Sequence, residues 1–294
     1  MITVSKRGKN VVGENGIITS KRSLILKRCE GSFYKEFMRA VQKKIKRQGD
    51  WVWIKNFDSG DVILASDVEN YTKRFAAVFA NLGVKYGDGV HILTGNNNFT
   101  FISMYSAFYL GAFASTGDIS LDADTIAGQL NDIKKVKLVI CVPNTAMKAQ
   151  EAVKLSKFSD VNNTVVVCLG ESEGCTNIYE ILKTVSMKDA PDPVDVNDVN
   201  KEYLLIFWSS GTTGAPKGIC FSNQGMWNCI QGYSQLTLPR ILMGNKILKT
   251  ISTQSMFHSG SFWAYTSDLL KGVEHHYVSV DAINSSTCAE IYVE

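Results

Sequence analysis

The sequence predicts an α/β fold built on mainly parallel sheets covered by helices. Three observations support this prediction. Short apolar runs alternate with segments of helical periodicity along most of the 294 residues, which is the order that β-α-β units require. The apolar runs are continuous rather than alternating, as expected of strands covered on both faces. After a break at residues 190–200, the same alternation begins again.

Before residue 190, the segment from Ser66 to Gly83 is the clearest helix. Ser66 and Glu69 have the spacing of a capping box, in which each side chain accepts a free amide at the start of the helix. The apolar residues from Val68 to Leu82 form one helical stripe, and Gly83 provides a left-handed end. Further strands are predicted at Val90–Thr94, Val136–Val142 and Thr164–Leu169. Further helices are predicted from Asn97 or Asn98 to near Gly111, at Asp122–Ile133 and at Ala146–Val153.

The segment 190–200 reads APDPVDVNDVN and is predicted to be a linker, because it holds two prolines, three aspartates and no large apolar residue. It divides the chain into a first α/β sub-structure at 21–190 and the start of a second at 201–294, with the linker at 191–200. Residues 1–20 are expected to be a disordered basic tail. In the second part, strands are predicted at Tyr203–Trp208, Ile219–Phe221, Leu248–Ser252 and His276–Val280, and helices near Gln224–Tyr233 and Phe262–Leu270.

Composition excludes several classes of protein. Hydrophobic residues make up 45% and charged residues 20% of the chain, so a disordered protein is excluded. The uncharged run from Phe99 to Ala114 is shorter than the ~20 residues of a membrane span, and a buried helix is predicted there. The seven cysteines have no CxxC spacing, so we interpret them as small buried hydrophobes in a reducing compartment.

Charge is distributed unevenly along the chain. Residues 1–50 carry a net charge of +9 and the remainder −6. The cluster from Lys43 to Arg47 suggests nucleic-acid binding as one alternative. However, it follows Phe33, Phe37 and Val41 at helical spacing, and the simpler interpretation is the solvated face of an amphipathic helix. We therefore expect no nucleic-acid partner.

The segment with the clearest chemistry is the loop after the predicted strand Tyr203–Trp208. It carries three glycines, Gly211, Gly214 and Gly218, four hydroxyls, Ser209, Ser210, Thr212 and Thr213, and one cation, Lys217. Glycines let backbone amides approach an anion closely, and hydroxyls and an ammonium add donors. No acid lies between Glu202 and Gly218, so the loop is predicted to bind phosphate oxygens. It is not a Walker A loop, because no hydroxyl follows the lysine.

The segment Ser209-Ser-Gly-Thr-Thr-Gly-Ala-Pro-Lys-Gly218 resembles the signature of the AMP-dependent synthetase and ligase superfamily. These adenylate-forming enzymes include acyl-CoA synthetases, 4-coumarate–CoA ligases and beetle luciferases. The stretches Leu82–Asn96 and Ala112–Ile140 are similar to further family segments, and Ser255-Met-Phe-His-Ser-Gly260 resembles the family's aromatic–His motif. One departure is the pair Gly117-Asp118, where the family often has Asn-Pro.

The resemblance implies ATP-dependent activation of a fatty or aromatic carboxylic acid as an acyl-adenylate, followed by transfer to coenzyme A. It implies ATP, Mg²⁺ and coenzyme A as cofactors or co-substrates, and no metal ligands among these residues. Lys217 and the donors at 209–214 and Gly218 would hold the β- and γ-phosphates, and His258 would lie where the carboxylate meets the α-phosphate. A cytoplasmic location is expected, with peroxisomes or mitochondria as alternatives for full-length relatives.

The resemblance covers about the first half of the family's length. The family's later adenine, ribose, hinge and C-terminal lysine segments are not found in these 294 residues. The expectation is therefore a partial chain, a fragment of the large N-terminal domain, with an unpaired sheet edge near His276–Val280. The alternative is a non-catalytic nucleotide- or acyl-binding remnant that regulates or partners a full-length paralogue.

Overall fold

A computed structural model describes residues 11–12, 18–19, 26–157, 163–209, 216–236 and 249–278. The strands in this part of the chain are β1 (Val11–Val12), β2 (Ile18–Thr19), β3 (Val52–Asn56), β4 (Val62–Leu64), β5 (Gly89–Leu93), β6 (Phe113–Thr116), β7 (Val136–Cys141), β8 (Val165–Cys168), β9 (Thr176–Asn177), β10 (Tyr203–Ser209), β11 (Lys217–Ser222), β12 (Lys249–Ser252) and β13 (Glu274–Tyr277). The helices are α1 (Phe33–Gln48), α2 (Asp67–Asn81), α3 (Thr100–Tyr109), α4 (Ala123–Ile133), α5 (Pro143–Leu155), α6 (Ile178–Thr184), α7 (Asn223–Leu236) and α8 (Ser259–Lys271), with a 3-10 turn at Met187–Asp189.

The strands form two main sheets. The larger has the order β11-β10-β6-β5-β7-β8-β9, and all neighbours are parallel except β10 and β11. The smaller has the order β12-β13-β3-β4, and only β3 and β4 are antiparallel. A separate antiparallel pair joins β1 and β2. The prediction of an α/β fold with mainly parallel sheets is confirmed.

The core lies between the two sheets and is centred on α3. All ten residues of α3 are buried, which confirms the buried helix predicted in the uncharged run. The helix contacts β5 and β6, whereas α8 contacts β3 and β13. Trp53 of β3 is fully buried and donates from Nε1 to the carbonyl of Tyr265 on α8, at 2.9 Å. A second, smaller core packs α4 and α5 on the opposite face of the larger sheet.

The start of α2 differs from the predicted capping box. Ser66 has helical backbone angles and makes no side-chain cap. Its hydroxyl donates to the carboxylate of Asp50, and its amide also donates to Asp50, at 3.0 Å. Glu69 pairs with Lys73 at 2.7 Å instead of reaching back. A carboxylate from a distant segment thus outcompetes the local cap, although Gly83 has the predicted positive φ of 88°.

Helix α1 matches the predicted amphipathic helix. Its buried residues include Phe33, Phe37 and Val41, and Ser32 accepts the first-turn amide of Lys35 at 3.4 Å. The expectation of no nucleic-acid partner stays a prediction. Of the helices in the described ranges, none has both the length and the apolar character of a membrane span.

The predicted linker packs along the first part of the chain. The Val196 amide donates to the carbonyl of Gly31 and the Val194 amide to that of Tyr109, both at 2.9 Å. After this segment, β10 pairs in parallel with β6 of the larger sheet, so residues on both sides of 191–200 share one sheet. The division into 21–190 and 201–294 stays a prediction. Within the tail at 1–20, β1 and β2 pair, and its other residues lie outside the described ranges.

The expected unpaired edge near His276–Val280 is wrong for β13. This strand lies inside the smaller sheet, between β12 and β3. The register pairs His276 with Ile251 on one side and with Lys55 on the other. A strand early in the chain therefore covers the edge, because a parallel sheet can pair strands that are far apart in sequence. Residues 279–280 of the predicted strand lie outside the described ranges.

The cysteines follow the prediction of buried thiols only in part. Cys29, Cys141 and Cys168 are buried, Cys175 and Cys229 are half-buried, and Cys220 on β11 is exposed. All six are unpaired. Cys288 lies outside the described residues. The exposure of Cys220 reflects its position on β11, which is an edge strand of the larger sheet.

We expect a maleimide to label Cys220 before Cys29, Cys141 and Cys168. The buried thiols are inaccessible, and burial also raises their pKa values. Partial burial raises the pKa of Cys220 as well, so its labelling rate should increase with pH. Peptide mass mapping after short labelling checks the order, with Cys220→Ser as the control. Equally fast labelling of Cys141 in the folded chain would contradict the described packing.

Candidate functional site

The candidate site lies at the carboxyl-terminal edge of the larger sheet. Strands β5, β6 and β10 are parallel neighbours there, so the loops that follow them emerge at the same edge. In open α/β sheets, ligands bind outside the carboxyl ends of the strands. The loop predicted to bind phosphate follows β10, and the Gly117-Asp118 pair follows β6.

The phosphate loop begins and ends on two paired residues. Ser209 ends β10 and lies opposite Lys217, the first residue of β11. The Ser209 hydroxyl donates to the Lys217 carbonyl at 3.3 Å. Lys217 and Gly218 are exposed, which leaves the ammonium accessible to an anion. Ser210, Gly211, Thr212, Thr213 and Gly214 lie outside the described residues, so their predicted phosphate-binding role stays a prediction.

His258 is exposed and occupies the position just before α8. Its ring lies against that of Phe257, with 4.3 Å between the centroids. Two backbone bonds hold this residue: its amide donates to Ser255 at 3.1 Å, and its carbonyl accepts from Phe262 at 3.3 Å. The imidazole is therefore presented to solvent from a backbone fixed at a helix start.

Two neighbouring hydroxyls of β6 connect the candidate segments. Ser115 accepts a hydrogen bond from Trp208 Nε1, at 3.0 Å, just before the phosphate loop. Thr116 donates to the carbonyl of Phe257, at 2.8 Å, just before His258. Sequence reasoning missed both residues. The sequence feature that could have identified them is a Ser-Thr pair at the end of a strand, followed by a glycine.

Gly117 explains the departure from the family pattern. A Cβ at this position would lie 2.3 Å from Leu93 Cδ2 and 2.8 Å from His91 Nε2. His91 is fully buried on β5, and both ring nitrogens lack a hydrogen-bond partner among the described residues. The ring of His91 thus fills the space beneath the loop, so that a side chain at position 117 would force Leu93 or His91 to shift.

The remaining histidines lie in the smaller sheet. His275 is buried and its Nδ1 lies 2.9 Å from Asp268 Oδ2 and 3.0 Å from Thr250 Oγ1. His276 Nε2 lies 2.6 Å from Glu274 Oε1. Each imidazole thus has a carboxylate partner within its own sheet region, and we assign neither a role in the candidate site.

Acidic side chains for a metal are not assembled at this edge. The described part of the chain contains no group of three or more His, Cys, Asp or Glu side chains placed to hold a metal ion. The segment from 203 to 218 has no acid. These residues do not fit a Mg²⁺ ion held by the protein, because Mg²⁺ prefers carboxylate oxygens.

Comparison with known families decides which group the chain belongs to. The profile of the AMP-binding enzyme family matches residues 41–292. The chain is a member of this family. The match includes the phosphate loop and the segment around His258, so the resemblance stated from the sequence is confirmed.

Curated members of the AMP-binding family include plant and insect relatives of this chain. It is 28% identical over 178 residues to 4-coumarate–CoA ligase 1 of Arabidopsis thaliana. This alignment covers 58% of this chain and 30% of the ligase. It is 26% identical over 217 residues to luciferin 4-monooxygenase of Photuris pensylvanica, covering 70% of this chain and 38% of that protein. The AMP-binding chain thus spans about a third of the length of these relatives.

Solved structures support the fold of this AMP-binding chain. The N-terminal domain of FACL13 from Mycobacterium tuberculosis superposes with a TM-score of 0.71 at 16% identity, covering 90% of this chain and 60% of that one. A luciferase-like enzyme from the Zophobas morio mealworm gives a TM-score of 0.71 at 18% identity, with coverages of 92% and 60%. The fold is that of the N-terminal domains of adenylate-forming enzymes.

Proposed function

We propose that this chain carries the phosphate-binding and acid-binding part of an ATP-dependent acid–thiol ligase. In this reaction a carboxylate oxygen attacks the α-phosphorus of ATP, and the bond to pyrophosphate breaks. The thiol of coenzyme A then attacks the acyl carbon, loses its proton and expels AMP, which leaves a thioester. The acid is fatty or aromatic, in keeping with the 4-coumarate–CoA ligases among the relatives.

The observation that carries this proposal is the pair of bonds made by consecutive residues of β6. Ser115 is bonded to the strand that leads into the phosphate loop, and Thr116 to the segment that presents His258. A phosphate-binding loop and an aromatic–His motif are the two parts that must meet in adenylation. The two side chains point to opposite faces of the sheet, but both bonds are made at the carboxyl end of β6, the edge from which the loop after β10 emerges. This common edge supports a shared site.

In this proposal, the chain acts mainly through preorganised donors. Lys217 and the donors from Ser209 to Gly214 hold the β- and γ-phosphates and leave the α-phosphate open. Negative charge develops on the departing pyrophosphate, and donors already aimed at it lower the barrier. His258 lies where the carboxylate and α-phosphate meet. Mg²⁺ would enter with ATP, since the described residues do not hold it.

We expect Lys217→Ala to weaken binding of ATP by about tenfold to a hundredfold. Loss of one hydrogen bond to a charged group costs roughly 1.5–3 kcal/mol. Lys217→Arg should also weaken binding, because the planar guanidinium group of arginine does not replace the compact ammonium group of lysine. Isothermal titration of the 294-residue chain with ATP, and separately with pyrophosphate, measures this effect.

The matched control is Lys201→Ala. Lys201 is also an exposed lysine, but its partner is Asp198, at 3.4 Å on the surface, and its loss should leave ATP affinity unchanged. Equal affinities of wild type and Lys217→Ala would remove the phosphate assignment. Pyrophosphate release with ATP, Mg²⁺, coenzyme A and 4-coumarate then separates a ligase from a non-catalytic nucleotide-binding chain.

A reducing compartment such as the cytoplasm fits this proposed function. All six cysteines in the described ranges are free thiols, and disulfides are rare in reducing compartments. Mass spectrometry of the chain extracted under alkylating conditions would contradict this location if it found a disulfide between any of these six.

A further inference from the structure

We propose that Asn96 is a positioning residue that fixes the segment 255–258, and with it His258, over the carboxyl end of the larger sheet. This inference rests on the proposed function, because it assigns Asn96 a part in carboxylic-acid binding. Asn96 belongs to the loop after β5 and is not itself expected to contact the reacting atoms.

The amide of Asn96 bridges two segments that are distant in sequence. Its Oδ1 accepts from the Met256 amide at 2.8 Å, and its Nδ2 donates to the Val278 carbonyl at 3.0 Å. Met256 is fully buried, so its amide has no ready water to replace this acceptor. Val278 directly follows β13 of the smaller sheet. One side chain therefore ties the larger sheet to both the His258 segment and the smaller sheet.

A second tether makes the position of this segment well determined. Thr116 donates to the carbonyl of Phe257 at 2.8 Å, so the amide of Met256 and the carbonyl of the next residue are held from the ends of β5 and β6. Two hydrogen bonds on neighbouring residues fix the orientation of this segment as well as its distance from the larger sheet. The next residue is His258, whose ring is exposed and whose placement follows from this backbone.

The chemistry of the bridge requires a carboxamide. A carboxamide offers an acceptor oxygen and a donor nitrogen on one small planar group, and glutamine, the other carboxamide, is longer by one methylene. Aspartate would keep the bond from the Met256 amide but would place a carboxylate beside the Val278 carbonyl. An isosteric change to aspartate should therefore damage one half of the bridge and spare the other.

The first test is hydrogen–deuterium exchange of the full chain without ligand. We expect the Met256 amide to exchange at least about tenfold faster in Asn96→Ala than in wild type, since its acceptor is lost. Asn96→Asp should keep most of that protection. The control is Asn98→Ala: Asn98 accepts from Tyr277 at 2.9 Å and so also joins the two sheets, but it does not touch residues 255–258 in the described contacts. Unchanged exchange at Met256 in Asn96→Ala would overturn the inference.

The second test is ligand binding, which separates positioning from general loss of structure. We expect Asn96→Ala to bind 4-coumarate, in the presence of ATP, about tenfold more weakly, while its affinity for ATP alone stays within twofold of wild type. An equal loss of affinity for both ligands, or no loss of affinity for either, would overturn the positioning role. If wild type binds neither ATP nor 4-coumarate, the proposed function fails, and the exchange experiment alone decides whether Asn96 fixes the segment.

Discussion

The free energy of unfolding should fall by about 2 kcal/mol between pH 7 and pH 5 because of His91 alone. This histidine is fully buried on β5, and burial lowers its pKa to about 3. In the unfolded chain its pKa returns to about 6.5. The unfolded state therefore binds a proton that the folded state excludes.

The sign of the effect follows from this difference in pKa. Above pH 6.5, His91 is neutral in both states and does not disfavour folding. As the pH falls from 6.5 toward 3, the unfolded state gains stability by up to about 1.4 kcal/mol per pH unit. Below about pH 3, both states are protonated and the effect reaches its limit. His275, whose pKa is also lowered chiefly by burial, acts in the same direction.

Urea unfolding of His91→Leu at pH 7 and pH 5 measures the contribution. We expect the variant to lose less stability than wild type over this interval, by about the amount assigned to His91. His258→Gln is the control for the loss of an exposed histidine. Identical pH dependence in His91→Leu and wild type would mean that the ring is not excluded from water.

Replacing Gly117 with alanine should destabilise the chain by about 1–3 kcal/mol, the usual cost of overpacking a core. The added methyl would lie 2.3 Å from Leu93 Cδ2 and 2.8 Å from His91 Nε2. Both neighbours are buried, so neither can move aside into solvent. The strain falls directly after Thr116, and ATP-dependent binding of 4-coumarate should weaken as well.

Gly128→Ala is a matched control within the same chain. Gly128 lies in α4, and a Cβ there meets nothing within 4 Å. Alanine should stabilise that helix by roughly 0.5–1 kcal/mol. The double variant His91→Ala with Gly117→Ala should recover part of the loss, because one of the two close neighbours is removed. Additive effects of the two changes would argue against direct contact.

Local pattern was sufficient for most elements of this fold. The amphipathic stripe of α1, the Asp122 cap of α4, which accepts the Thr125 amide at 2.8 Å, and the apolar run of β7 all depend on near neighbours in sequence. The loop predicted to bind phosphate could also be identified from the sequence, because its glycines, hydroxyls and Lys217 lie within ten consecutive residues. The family was identified from that segment together with the stretches Leu82–Asn96, Ala112–Ile140 and Ser255–Gly260, and it is confirmed by the match over residues 41–292.

Long-range pairing decided what the sequence alone left undetermined or predicted wrongly. The Ser66 hydroxyl donates to the carboxylate of Asp50, and the Ser66 side chain does not cap its own helix. The smaller sheet sets β13 beside β3, a strand that lies more than two hundred residues earlier in the chain. No periodicity encodes such a partner, since a strand's pattern specifies which faces are buried but not which strand lies beside it.

The sequence by itself therefore determined the type of fold, the family, and the glycine- and hydroxyl-rich composition from which we predict phosphate binding. Tertiary structure alone decided that Asn96 and Thr116 hold the segment before His258, and that a side chain at position 117 would force Leu93 or His91 to shift. The physical reason is that a contiguous motif carries its own chemistry, whereas hydrogen bonds and steric limits between distant segments exist only once the sheets have brought those segments together.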